Sequence, residues 1–583
     1  MKTRRPANSP PPLPPEKVRE QLLRDVECAW IEGVLQHSPY QDLLRSSHLT
    51  SLPDAITHPW RFQLQEVDAP IPTLLPVGTS VREVYDQANS SLLLLGQPGA
   101  GKTTALLTLA RDLLARARLD LQQPIPVVFN LSTWSTQQRT LDGWLFDELA
   151  ARYCIERHYA RSWLRADLLV LLLDGLDELP EDARTSCIEA LNVYYREHPA
   201  VQLVVCSRED EYLAQPARLD LRRTAHIQPL SGPQIEQYLA VLQREDVRQA
   251  YDTDAGLQTL MQTPLMLTTV LLTYPQSETS DILPAVETSD VLPIAIEQQE
   301  QRGQKILAAY AERTLKLADD TEPYTHKQTL RWLSWIAGQM QAHKQSIFYL
   351  EDMQPDWLPT AALQRFLAIL FGLIAGLSLV LPISLLMGGV NGIGYGLGGG
   401  LAVCLLVFVA VRSDMKLADN IILLLRGLRR NMLVWLLGAL LVGVLGFSVG
   451  GPLYGSLVML LYGLLVWVIM GPSDKAVSWR IWRTGQNGLA MGLLTTLGIG
   501  LLGVPFSALY IGLIVGLSAG LFAGGATFLR HFLLRFLLSR PKTDAIPYDL
   551  PAFLDYLCEH SLLHKVGSGY MFPHRCLQDY FSS

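Results

Sequence analysis

The sequence predicts an α/β fold, a parallel sheet covered by helices, joined to an all-α block that spans a membrane several times. Three observations predict it. Short apolar runs alternate with helical segments between residues 91 and 206. The first run feeds a glycine-rich octapeptide, Gly96-Gln97-Pro98-Gly99-Ala100-Gly101-Lys102-Thr103, set between a strand and a helix. From Phe366 to Phe528, long apolar stretches carry almost no charge.

A chain of 583 residues holds several domains. Its net charge of −7 hides an asymmetry. Between Arg365 and Arg540, twelve Lys/Arg stand against three Asp/Glu, a net of +9, so the remainder carries −16. That acidic remainder argues against nucleic acid as a partner, which would favour a basic face. The seven cysteines (28, 154, 187, 206, 404, 558 and 576) are scattered, with no C-x-x-C pair. This suits a reducing cytosol and speaks against a zinc site or a disulfide framework. Residues 1–17 are basic and Pro-rich with no apolar core, so they read as a disordered lead-in and not as a signal peptide.

Within residues 18–89, the stretch 18–35 places Leu22, Leu23, Val26, Ala29, Trp30 and Val34 at helical spacing. The rest of that region is mixed, with turn signals at Pro53, Pro59, Pro70, Pro72 and Pro76. Residues 90–229 form the core. There Ser91 to Leu95, Ile125 to Leu131, Leu168 to Leu173 and Val201 to Cys206 read as buried strands separated by helices, hence a parallel sheet. Residues 230–275 read as a small helical domain and 276–304 as an exposed linker. The linker holds a tandem repeat, Glu278-Thr279-Ser280-Asp281-Ile282-Leu283-Pro284 and Glu287-Thr288-Ser289-Asp290-Val291-Leu292-Pro293. Helices resume over 305–364, and residues 545–583 close the chain.

Between them, residues 365–540 divide into six apolar spans, about 366–387, 393–411, 432–450, 453–471, 488–507 and 509–528. Each approaches the roughly 20 residues that cross about 30 Å of hydrocarbon. Basic residues gather in alternate links (Arg412, Lys416, Arg426, Arg429, Arg430, then Lys475, Arg480, Arg483). The positive-inside rule turns these links, and with them both soluble parts, to the cytoplasm. The expected location is therefore the cell membrane, multi-pass. The spans hold no Asp, Glu, Lys, Arg or His, while Gly512, Gly516, Gly520 and Gly524 recur every fourth position. That pattern suits helix packing or oligomeric assembly better than a substrate pathway.

The octapeptide fits G-x-x-x-x-G-K-[ST], the phosphate loop of P-loop NTPases. Its backbone N–H groups, continuing to Thr104, converge on phosphate oxygens at a helix N-terminus. Lys102 neutralises β/γ charge and Thr103 offers a hydroxyl to Mg²⁺. Asp174 ends a buried strand, where a carboxylate is costly unless it meets a cation such as Mg²⁺. Asp177 or Glu178 can orient or deprotonate an attacking water. The alternative for this acidic turn is a helix N-cap. Arg208, after the strand Val201 to Cys206, can reach a γ-phosphate; the alternative is a surface arginine paired with Glu209 or Asp210. Leu230-Ser231-Gly232-Pro233-Gln234 is similar to the signature of ABC transporter ATPases but follows the acidic motif, so Ser231 is read as an N-cap.

Together these segments resemble the NACHT family of signal-transducing NTPases, of the STAND class within the AAA+-like ATPases. The mark is Asp174-Gly175-Leu176-Asp177-Glu178, a small residue after the metal aspartate and then an acidic pair. The resemblance implies a sensor role for Arg208 and a base-packing role for Pro264 in Thr263-Pro264-Leu265. It also implies a winged-helix subdomain closed by Tyr570 to Phe581, whose His574 touches the β-phosphate of bound ADP in the resting state. ATP/ADP and Mg²⁺ are the implied cofactors, and self-oligomerisation on activation the implied behaviour. No repeat-type sensor array or effector domain is recognisable, so the membrane block or a separate protein is expected to sense or to act. The function expected is a membrane-embedded, ATP-hydrolysing switch in signalling, with immunity-like defence as one setting for it. The competing readings are an ATP-driven transporter and a nucleotide-binding membrane scaffold without turnover.

Overall fold

The structure is a computed structural model. It describes residues 16–37, 60–66, 71–76, 78–134, 140–153, 155–274, 296–316, 324–350, 526–540 and 545–582, with a few positions between 353 and 366. The Pro-rich lead-in through residue 15 and the tandem repeat lie outside them. The chain divides into two compact units, one made of residues 1–349 with 549–583 and the other of 350–548.

The first unit is organised by a seven-stranded sheet. Its strands are β1 (Arg61–Glu66), β2 (Thr73–Leu74), β3 (Ser91–Gly96), β4 (Ile125–Asn130), β5 (Leu169–Asp174), β6 (Gln202–Arg208) and β7 (Arg223–Gln228), in the order β2-β1-β7-β3-β6-β5-β4. β7, β3, β6, β5 and β4 run parallel. Every residue of β3, β4 and β5 is buried, as continuous apolar runs covered on both faces require. The parallel strands form the expected parallel sheet, and β1 and β2, which were not expected, add antiparallel at one edge. β1 and β7 were not among the expected strands because they bury only alternate residues, Phe62 and Leu64, Ala225 and Ile227. Period-two strands this short carry little apolar signal.

The helical segment after β7 packs a core of its own around Ile235, Leu239, Val247, Leu257 and Met261. Ser231 does cap the helix Gly232–Val241, its N–H donating to Gln234 Oε1 at 3.0 Å. The helix Ile296–Lys316 begins inside the stretch expected to be linker. A second sheet, of order β8-β10-β9, joins β8 (Phe348–Tyr349) to β9 (His564–Val566) and β10 (Gly569–Met571). β8 precedes residues 350–548 and its partner β10 follows them. An aromatic cluster bridges the same gap in sequence, with Tyr324 and Trp332 each 5.2 Å from Phe553.

The expected multi-pass membrane location is overturned. Among the described residues no helix is long and apolar enough to cross a membrane. The six expected spans lie outside the described residues apart from their outermost positions. The transmembrane component of the expected fold class finds no support among the described residues.

Candidate functional site

Parallel direction gathers the chemistry at one edge. β3 ends at Gly96, β5 at Asp174 and β6 at Arg208, so all three open on the crevice beyond the strands' carboxyl ends. The loop after β3 needs left-handed backbone at Gly99 (φ +77°) and Gly101 (φ +87°), a region that side chains disfavour. Gly101 opens α1 (Lys102–Leu119), whose first-turn N–H groups face the crevice. The Lys102 ammonium donates to the loop's own carbonyls, Gly96 O at 2.9 Å and Gln97 O at 3.0 Å. Burial pulls its pKa down, with Asp177 opposing.

Thr103 Oγ1 donates to Asp174 Oδ2 at 2.7 Å. Burial pushes the Asp174 carboxyl up to about 6, Thr103 working against the rise and Asp177 adding to it. A divalent cation bound at this carboxylate would oppose the effect of burial. The residue set at that point, a hydroxyl and a carboxylate oxygen, fits Mg²⁺. Asp174 caps no helix; the turn after it is opened by Gly175 (φ +79°). A Cβ at Gly175 would stand 2.7 Å from Glu178 Oε2, so the glycine leaves room for that carboxylate to fold back. Burial, then Asp177 and Asp174, push Glu178 up to about 7. Ser346 Oγ donates to Glu178 Oε2 and opposes that rise.

The two acidic candidates have different partners. Asp177 is held by Arg208, whose Nε lies 3.0 Å from Oδ2 and whose backbone N–H donates to Oδ1 at 3.2 Å. Arg208 also reaches Glu211 at 3.2 Å. Its partners are thus Asp177 and Glu211, not the Glu209 or Asp210 of the surface alternative. Glu178 is turned to the segment beyond α3 (His326–Ala342) that carries Ser346.

Two remote segments complete the site. Thr263 accepts from Met266 N–H and starts α2 (Pro264–Thr273). Leu265 N–H then donates to Gly99 O at 3.3 Å, tying the helical segment to the phosphate loop. His574 precedes α4 (Arg575–Ser582), which packs on α3. Cys576 N–H donates to His574 Nδ1 at 3.1 Å. An amide can only donate, so the neutral ring carries its proton on Nε2. Burial, with Arg208 and Lys102 nearby, pushes the pKa of His574 down to about 3, which keeps it neutral.

One cavity of about 280 Å³ joins these parts. Pro98, Gly99, Gly101, Lys102, Thr103, Thr104, Asp174, Asp177, Glu178, Arg208, Pro264 and His574 all line it. Of the expected phosphate-loop residues, Gly96 and Gln97 take part through their carbonyls, and Ala100 is buried beneath the loop. Trp60, Asn130 and Ser346 line it without having been expected. Asn130 had a signal, since a polar residue ends the buried run of β4 and lies in register with Asp174. Trp60 and Ser346 belong to no motif and are brought in by tertiary structure alone.

No curated protein matches the chain. A family model, that of the NACHT domain, matches residues 90–246, the stretch that holds β3 to β7, the phosphate loop and the acidic turn, and supports reading it as a nucleotide-binding NTPase domain.

Proposed function

We propose that the chain is an ATP-binding and ATP-hydrolysing switch of the STAND type, resting with ADP under its closing segment. The observation that carries the reading is the shared cavity. The phosphate loop, the helical segment at Pro264 and the winged-helix-like segment at His574 wall one space, though they are far apart in sequence. A nucleotide there touches all three, and its phosphate count can bias how they sit. The neutral Nε2–H of His574 is a donor suited to a terminal phosphate oxygen of ADP. In ATP a further anionic group has to be placed among Lys102, Arg208 and His574, which favours an arrangement with the closing segment withdrawn.

Thr103 and Asp174 are the residues that would hold Mg²⁺, directly or through water. When bound, the ion neutralises charge on the phosphates and on Asp174. Lys102 exchanges its two loop carbonyls for phosphate oxygens. Glu178 accepts a proton from the attacking water once Ser346 leaves it, and a carboxyl titrating near 7 is matched to that work. Asp177 holds Arg208 back until a γ-phosphate competes for the guanidinium. Hydrolysis removes that competitor and resets the switch.

Affinities for ADP and ATP, with phosphate release over many turnovers, test the reading. Wild-type protein should bind both nucleotides, Lys102→Ala neither tightly, and His574→Ala should lose ADP more than ATP. Equal loss of both nucleotides in His574→Ala removes the closing segment from the switch. Binding without turnover leaves a scaffold.

A further inference from the structure

A buried donor in the nucleotide cavity belongs to no recognised motif. Trp60 is 5% exposed, lines the cavity, and its indole N–H has no hydrogen-bond partner among the described residues. Buried donors are nearly always paired; Trp134 and Trp163 also have indole N–H groups with no partner among the described residues, but of these three only Trp60 lines the cavity, where a ligand can supply the acceptor. Indole Nε1 can only donate, which makes that acceptor an oxygen or an unprotonated nitrogen of the ligand.

Sheet register explains how Trp60 comes to be there. Ile227 of β7 lies beside Gly96, the last residue of β3, so β7 ends at the phosphate-loop edge. β1 runs antiparallel to β7 and begins with Arg61 opposite Gln228. Trp60, one residue before Arg61, is thereby delivered to the crevice rim. The antiparallel edge strand, which looks like an ornament on a parallel sheet, serves to bring an aromatic residue to the loop.

The contact with the loop is close and depends on a glycine. A Cβ built on Gly101 would lie 2.8 Å from Trp60 Nε1, 3.7 Å from Cε2 and 3.8 Å from Cδ1. The pyrrole edge of the indole, with its N–H, therefore faces the last glycine of the phosphate loop. Gly101 is also where α1 begins and where the helix leaves its first N–H groups free. The indole nitrogen is closed off against Gly101, so an acceptor reaches it through a small shift of the ring or the loop.

We propose that Trp60 is a nucleotide-binding residue whose indole N–H donates to a phosphate oxygen of the bound nucleotide, extending the donor set of the loop beyond its backbone and Lys102. The proposal rests on the nucleotide reading of this cavity. It predicts that the donor contributes to affinity and not to the fold, because in the nucleotide-free chain it has no partner to lose.

The test compares wild-type protein with Trp60→Phe, which keeps a ring and drops the N–H, and with Lys102→Ala. Dissociation constants are measured for ADP and for inorganic tripolyphosphate, and thermal midpoints without ligand. Trp60→Phe should weaken both ligands about ten- to 150-fold, the range for one lost hydrogen bond to a charged group, while the ligand-free midpoint falls by no more than the smaller ring costs the core cluster that holds Trp60. Wild-type affinity for ADP in Trp60→Phe overturns the proposal. Weakened ADP with unchanged tripolyphosphate overturns the phosphate assignment and moves the contact to the nucleoside. ADP binding that ignores Lys102→Ala sinks the nucleotide reading itself, and this one with it. Should Trp60→Phe fail to fold, Trp60→Tyr is read by the same three measurements.

Discussion

Replacing Glu178 by Gln should stabilise the nucleotide-free protein at alkaline pH and leave it unchanged in acid. Glu178 titrates near 7 in the fold against an ordinary value of 4.5, raised first by burial and then by Asp177 and Asp174. The sign follows from that direction. The folded chain holds this proton more tightly than the unfolded chain does. The group therefore costs nothing below about pH 4.5, and stability falls as pH rises from there towards 7. A displacement of that size corresponds to about 3 kcal/mol once the carboxyl is fully ionised. Some water reaches Glu178, so about 2–3 kcal/mol is the range to expect. Asp174, raised to about 6, moves stability in the same direction, and because its charge helps to raise Glu178 the difference between the two proteins reports Glu178 together with that coupling. Urea melts followed by tryptophan fluorescence at pH 5 and pH 8 supply the numbers. The curves should differ by under about 1 kcal/mol at pH 5, where the unfolded carboxyl has begun to ionise, and the Gln variant should be the more stable by the full amount at pH 8. Parallel dependence on pH in the two proteins would refute the claim that the fold holds this carboxyl against its ionisation.

Four further outcomes follow from the same geometry. Gly175→Ala should cost about 1–2 kcal/mol for the left-handed backbone and push the Glu178 carboxylate aside, so hydrolysis fails while ADP still binds; wild-type phosphate release in this variant counts against Glu178. Arg208→Ala strands Asp177, whose side chain is 8% exposed, and should lower the urea-unfolding free energy by about 2–4 kcal/mol, an effect absent from the double variant Arg208→Ala/Asp177→Ala. Ser346→Ala frees Glu178 and should raise basal ATP hydrolysis; an unchanged or lower basal rate would refute a restraining role. Binding of Mg²⁺ with nucleotide should release a proton from Asp174 near pH 6, read by calorimetry in buffers of different ionisation enthalpy, and Asp174→Asn should abolish that release.

The parts legible in the sequence are those with local rules. The phosphate loop announces itself because left-handed positions demand glycines at fixed spacing, and Gly99 and Gly101 hold those conformations. β3, β4 and β5 announce themselves because strands buried on both faces are unbroken apolar runs. β1 and β7 were hidden because a strand that buries two residues of six resembles a loop. Trp60 was hidden because its place follows from the register of β1 against β7, which no local pattern encodes. Ser346 lies 168 positions from Glu178, so their contact is legible only once the second sheet has formed. The apolar block is the opposite case. Hydropathy alone gave six spans, and no helix of the described residues sustains a crossing.

The split of the second sheet suggests where a signal enters the site. The chain leaves the first unit just after β8, which ends at Tyr349, and returns at Asp549. Ser346, whose hydroxyl sits on Glu178, is two residues before β8. Gln345, next to it, accepts from Gln578 Nε2 of α4 at 3.3 Å, and α4 follows directly on His574. The restraint on Glu178 and the residue proposed to read the diphosphate are thus coupled by one hydrogen bond, and one of them lies within four residues of the chain's departure. Tension on residue 350 has a short covalent path to β8, and β8 is held to β10 by only two residue pairs, Gly569 with Tyr349 and Tyr570 with Phe348. A pairing that short is marginal without the packing around it. Cross-linking β8 to β10 through cysteines at Phe348 and Tyr570 should therefore hold Ser346 on Glu178 and lock the resting state. Under oxidising conditions ADP affinity should be kept and ATP hydrolysis suppressed, with reduction restoring turnover. Full hydrolysis in the cross-linked protein would mean that β8 stays in place throughout the cycle, and the release of Glu178 would then have to come from rotation of Ser346 alone.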